Sequence, residues 1–260
     1  MQSTLAGTVD IERAPAAQAP TNAGAPAPLL APETLHPSLW LGHQLGRQSD
    51  TGLPSGFAML DAELPGGGWP RRCLIELLLS RVGIGEVRLL APTLVRAQAR
   101  YVMLFDPPMQ LAAAALQSYG LDLDQVLIVN TRSRALPAMD SLWSLEQTLK
   151  SGHVGAVVAW LPPRLRAERV RRLQLAAHHH DGPAFVVREL AVGDRPSASP
   201  LRLALRAGGP DQLRIDVVKR RGPPKLEPLL LALPSVLSAP AKRRSGATRS
   251  VTALRPVSTA

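Results

Sequence analysis

The sequence predicts an α/β fold: a mainly parallel β-sheet with helices on both faces, finished by a C-terminal antiparallel β-hairpin. Three observations predict it. Short continuous apolar runs recur between residues 73 and 190, as expected of parallel strands covered on both sides. Stretches of helical period separate them, the pattern of crossovers returning to one sheet. Beyond residue 200 the period drops to two, in LRLALR (201–206) and LRIDVVKRR (213–221), with a turn at Gly208–Gly209–Pro210.

The elements follow in order. LPSGFAMLDAELPGGGWP (53–70) is broken by prolines and three consecutive glycines, so it reads as turns ahead of a strand. CLIELLL (73–79) is the first strand, and residues 86–99 place Leu89, Leu90, Leu94 and Val95 near helical spacing, with Pro92 in the first turns. YVMLFD (101–106) is the second strand, followed by an alanine-rich helix to about Tyr119 that Gly120 can close. QVLIV (125–129) is the third. Asp140 or Ser141 can cap a helix bearing Leu142, Leu145 and Leu149, ended by Gly152. GAVVAWL (155–161) is a fourth strand, 164–178 a basic helix, PAFVVREL (183–190) a fifth strand, and PLLLALP (228–234) an edge strand.

With 260 residues and 45% apolar content, the chain can bury one full core. Residues 1–34 are Ala/Pro-rich without a period and are expected to be disordered; 35–234 form the folded domain; 235–260 form a disordered basic tail. The single cysteine, Cys73, excludes an intramolecular disulfide and a cysteine metal site, and is expected to be a buried packing residue. There is no signal-peptide pattern and no run of about 18 apolar residues, so a cytoplasmic protein that does not enter membranes is expected. The formal net charge is +10; the tail holds five cations and no acid, and residues 1–34 three acids and one cation, leaving +7 on the domain. Such a balance suits nucleic acid or an acidic protein, while three Phe and two Tyr leave little for base stacking.

LLLSRVGIGEVRLL (77–90) has the layout of a phosphate-binding loop: apolar strand, glycine-containing turn, helix start. Gly83 and Gly85 keep the turn, but Glu86 and Val87 stand where a phosphate lysine and a metal-binding hydroxyl are needed. An anion there repels a triphosphate. Arg81 and Arg88 are the candidate cations for an unusual nucleotide site.

The motifs LPSGFAMLDAELPGGGWPRRCLIEL (53–77), YGLDLDQVLIV (119–129) and LRIDVVKRRGPP (213–224), in this order, resemble the RecA-like recombinase core and, more closely, the ImuA proteins, RecA-like accessory factors of bacterial translesion synthesis also described as SulA-like. HPSLW (36–40) is similar to the segment that leads into the ImuA core, and the resemblance spans about residues 35–234. It implies a carboxylate at the end of the fourth strand, where Ala159 and Trp160 stand, and a water-activating glutamate after the second, where Pro107 and Pro108 follow Asp106. With phosphate lysine, metal orienter and base all replaced, no enzyme activity and no cofactor are expected. The resemblance further implies a DNA-damage-inducible adaptor, nucleoid-associated when assembled. Its partner would be ImuB, an inactive Y-family polymerase homologue, with an error-prone C-family DNA polymerase engaged indirectly, and RecA and single-stranded DNA as further candidates. Two alternatives stay open: a SulA-like inhibitor of cell division that binds FtsZ, and an active RecA-like ATPase.

The recombinases hold DNA on long loops after the fourth and fifth strands, and both intervals are short here. Arg164, Arg166, Arg169, Arg171 and Arg172, with Lys219, Arg220 and Arg221, are the candidates for tracking phosphates. A solvated face beside Glu168 and Asp216 explains them equally well. His178, His179 and His180 are adjacent on one helix and point about 100° apart, so no metal site is expected; charge at a helix C-terminus accounts for them. In the tail, Val251, Leu254 and Val257 recur at three-residue spacing among cations, a candidate partner-binding segment.

Overall fold

The computed structural model describes residues 51–131, 138–222 and 225–235. The segments 1–34 and 35–50, including HPSLW, and the tail beyond Ser235 with Val251, Leu254 and Val257 lie outside the described residues.

Eight strands form one sheet in the order β3-β2-β4-β5-β1-β6-β7-β8. They are β1 (Leu74–Leu79), β2 (Tyr101–Phe105), β3 (Val126–Val129), β4 (Val154–Trp160), β5 (Ala184–Glu189), β6 (Leu201–Gly209), β7 (Gln212–Lys219) and β8 (Leu229–Ala232). The first six are parallel to one another, since β6 joins β1 in parallel register at Glu76↔Arg202, while β7 pairs antiparallel with both β6 and β8. Every residue of β1 is buried, as a central strand covered on both faces requires.

The helices are α1 (Ala58–Asp61), α2 (Glu86–Ala97), α3 (Ala113–Ser118), α4 (Ala138–Ser151) and α5 (Ala167–Ala177). Leu89, Leu90 and Leu94 of α2 and Leu116 of α3 pack with Ile75, Leu77 and Val158 on one face. Leu142, Leu145 and Leu149 of α4 and Val170 and Leu173 of α5 pack with Leu74, Val157 and Val186 on the other. The basic helix is shorter than its composition predicts: Arg164 belongs to the loop after β4, and Arg166, with extended φ and ψ of −64° and 140°, is the residue before the first helical turn.

The glycine-rich motif 53–70 is a packing device. Leu53 and Trp69 exchange backbone hydrogen bonds of 2.8 and 2.7 Å, and a Cβ on Gly68 would lie 2.3 Å from the Leu53 carbonyl oxygen, so only glycine fits there. This seats Trp69, which is fully buried, with its indole N–H donating to Thr93 Oγ1 at 3.0 Å and its ring edge-on to Phe185 at 5.1 Å. The motif thereby fastens the chain ahead of β1 onto α2.

Candidate functional site

The loop joining β1 to α2 carries the outline of a phosphate cradle. Gly83 and Gly85 adopt φ of 79° and 118°, which turns their backbone N–H groups inward as such a cradle requires. The acceptor of those groups is Glu86 of the chain itself: Gly83 N–H donates to Oε1 at 2.9 Å and Gly85 N–H to Oε2 at 3.2 Å. Glu86 is buried. Read from sequence, it was an anion set against an incoming phosphate; in the structure it takes the phosphate's hydrogen bonds. A carboxylate at the first position of a helix is also favoured by the helix dipole.

The surrounding residues are committed as well. Arg88, one candidate nucleotide cation, instead pairs with Asp211 Oδ1 at 2.8 Å and donates to the Pro234 carbonyl at 2.9 Å, clamping the β6–β7 turn and the end of β8 over the loop. Leu233 closes against Gly85, where an added Cβ would come within 2.6 Å of Leu233 Cδ1. Val87 is half-buried against the core. The adjoining cleft, about 240 Å³, is lined by Gly83, Gly85, Glu86, Met109, Leu111 and Trp160 among others. Ala159 and Trp160 are buried at the end of β4 and present no carboxylate. Asp106, kept after β2, accepts hydrogen bonds from Thr131 N–H at 2.6 Å, Thr131 Oγ1 at 2.7 Å and Ser141 Oγ at 2.9 Å, and so ties β3 to α4. Arg81 is exposed beside this end of the sheet.

A buried charge cluster escaped the sequence reading. Glu76, at 0% exposure in the centre of β1, accepts from Arg188 of β5 at 2.9 Å and Arg202 of β6 at 2.6 Å. Arg202 also donates to the carbonyls of Val192, Gly193 and Arg195, which fastens the connection after β5. Arg188 has no such set, and its buried Nε has no hydrogen-bond partner among the described residues. The available signal was a glutamate inside CLIELLL and arginines inside FVVREL and LRLALR; each looked like a minor interruption of an apolar run. Only the register Glu76↔Arg202 and the neighbouring strand β5 make them one cluster.

The candidate phosphate-tracking residues do not converge. Arg164 and Arg166 lie beyond the C-terminal end of β4, whereas Lys219 ends β7, and Arg220 and Arg221 follow it, at the end of the sheet where β1 begins. Arg172 pairs with Glu146 at 2.8 Å, Lys219 donates to the Ser197 carbonyl at 2.9 Å, and Arg220 is half-buried against Glu63. Arg171 and Arg221 are exposed and Arg169 is half-buried. The hydrogen bond from Lys225, with Lys225 and Arg220 adding their charge, holds the Glu63 carboxyl below its ordinary value. Lys150 and Arg172 do the same for Glu146.

The histidine run also departs from expectation. His180 is not a cation at a helix end but a buried side chain, and burial, with Arg100 nearby, depresses its pKa against the opposing Pro183 backbone contact and Asp181 charge. Cys73 is buried, and desolvation pushes its thiol up to about 11. Among the described residues, no group of three or more His, Cys, Asp or Glu is placed to hold a metal ion, and no helix is long and apolar enough to cross a membrane.

Residues 84–184 match the family model of the cell division inhibitor SulA. Over 99 residues the chain is 29% identical to the cell division inhibitor SulA of Klebsiella aerogenes, a stretch covering 38% of this chain and 56% of that protein. The chain thus spans just over half the length of this curated relative. The family match begins in the loop just ahead of α2 and ends at the first residue of β5, so this chain is similar to SulA through α2, β2, α3, β3, α4, β4 and α5.

Proposed function

We propose that this chain is a non-catalytic RecA-like accessory protein of the DNA-damage response that acts by binding other proteins. The observation that carries the proposal is the Glu86 carboxylate seated on the N–H groups of Gly83 and Gly85: two backbone donors of the loop are consumed internally. Arg88, Asp106 and Trp160 support it, since each has a structural contact or burial in place of a role toward a nucleotide. The finer reading is an ImuA-like adaptor of translesion synthesis whose partner is an ImuB-like Y-family homologue. Its support is the motifs at 53–77 and 213–224, which lie outside the stretch similar to SulA. A second reading, inhibition of cell division through FtsZ, is favoured by the match over 84–184.

Titration calorimetry with a non-hydrolysable ATP analogue and Mg²⁺, together with a steady-state assay on ATP, tests the shared core of both readings; no heat of binding and no turnover are expected, and saturable analogue binding accompanied by ATP turnover would refute it. Co-purification with the ImuB-like protein is the expected result for the adaptor. Loss of FtsZ polymer in a sedimentation assay, without that co-purification, would replace it with the division-inhibitor reading.

A further inference from the structure

At the end of the sheet where β1 begins, two clefts adjoin through a shared side chain, Arg71. One, about 270 Å³, is lined by Leu53, Pro54, Arg71, Arg96, Arg100 and Asp181 among others. The next, about 230 Å³, is lined by Arg71, Arg72, Cys73, His178 and Arg221 among others. Among the described residues they together present five arginines and one carboxylate, Asp181.

Three of these five arginines are held by backbone carbonyls rather than by a carboxylate. Arg88, Arg172, Arg188, Arg202, Arg206, Arg214 and Arg220 each pair with a carboxylate. Of the five arginines lining the clefts, only Arg72 does so among the described residues, with Asp181 at 2.9 Å and both side chains largely exposed. Arg71 donates to the Thr51 carbonyl at 3.4 Å, Arg96 to the Pro54 carbonyl at 3.0 Å and Arg100 to the Gly152 carbonyl at 2.7 Å. Arg221 has no hydrogen bond or ion pair among the described residues, although its charge acts on the Cys73 thiol. A carbonyl positions a guanidinium without cancelling its charge, and it leaves the other N–H groups of the fork free for an anion.

We infer that this arginine-lined surface binds the phosphate backbone of a nucleic-acid duplex. Repeated cationic forks across two adjoining clefts match an anion that repeats along a chain. Among the described residues neither cleft is lined by Phe, Tyr or Trp, the platforms that hold unstacked bases. The lining of the first cleft includes Leu53, Pro54, Ala97 and Val154, but among the described residues none of the exposed large hydrophobic side chains lines either cleft, whereas a protein partner needs large apolar anchors.

The test is fluorescence anisotropy of the full chain with a labelled mixed-sequence duplex of about 20 base pairs, titrated from 50 to 200 mM NaCl. Replacing Arg71, Arg100 and Arg221 together by Gln should weaken binding at least about tenfold and reduce the log–log salt slope by about 2 to 3. The triple Gln variant of Arg164, Arg166 and Arg171, at a distance from these clefts, should stay within about twofold of wild type. Thermal melting shows whether each variant folds. If the first does not, Arg221→Gln alone, which removes no hydrogen bond or ion pair among the described residues, should still lower the slope by about one. Equal losses in both triple variants, no loss in either, or a glutamate-rich peptide that binds as tightly as the duplex with the same dependence on Arg71, Arg100 and Arg221 would each overturn the proposal.

Discussion

Replacing Glu76 by Gln removes one negative charge while nearly preserving volume, and leaves two arginines in the sheet without their counter-ion. The consequence is unequal. Arg202 keeps the carbonyls of Val192, Gly193 and Arg195, but the ion pair to Glu76 is the hydrogen bond that holds Arg188, whose Nε is already unpartnered. Both guanidinium side chains are only 5 to 6% exposed, so water cannot take over. Breaking a buried pair costs about 3–5 kcal/mol. For a domain of this size, each kcal/mol moves the melting temperature by about 2–4 °C, giving a fall of about 6–20 °C. Urea unfolding followed by circular dichroism measures the loss directly. The double variant Glu76→Gln/Arg188→Met removes the stranded cation and should recover about 1–3 kcal/mol. A loss below about 1 kcal/mol for Glu76→Gln, or a double variant no more stable than the single, would refute the reasoning that an uncompensated buried Arg188 dominates the cost.

Glu86→Ala strips the acceptor from the Gly83 and Gly85 N–H groups and should cost about 1–3 kcal/mol in urea unfolding, yet create no ATP hydrolysis in a steady-state assay, because Ala159 and Pro108 still stand where the metal orienter and base are required. His180 resists protonation in the folded state, so the unfolded chain takes up a proton first. Its contribution to stability is complete above its ordinary value near 6.5 and is lost as pH falls below it toward the depressed folded value. His180→Asn should flatten the stability profile in that window, while the effects of Glu63 and Glu146 come lower, below 4.5. Cys73, with its thiol raised to about 11 and buried, should react with iodoacetamide at neutral pH far more slowly in the native protein than in urea, as mass spectrometry would show.

Much of the architecture was legible because it rests on local signals. CLIELLL, YVMLF and GAVVAWL are apolar beyond what a one-sided strand needs, and the structure buries β1 completely and β4 at six of its seven positions. The period change after residue 200 located the β6–β7 hairpin, and the substitutions at 86, 87, 159 and 160 were visible as residue types. Arg166 shows the limit of such reading: the basic run continued the helical composition, but Arg166 is extended and the helix starts at Ala167, a choice made by backbone geometry at the helix end rather than by composition.

By itself, then, the amino-acid order determined strand and helix types, the crossover pattern and the altered residues of the phosphate-binding loop, since these depend on neighbours a few positions apart. Tertiary structure alone decided which charges meet. Glu76 lies 112 positions from Arg188 and 126 from Arg202, and Arg88 is 123 positions from Asp211. The same folding separates Arg164 from Lys219 to opposite ends of the sheet and gathers Arg71, Arg96, Arg100 and Arg221 at one. Coulomb energy and desolvation depend on distance and burial in three dimensions, and a charge in a sequence carries neither until strand order and register place it.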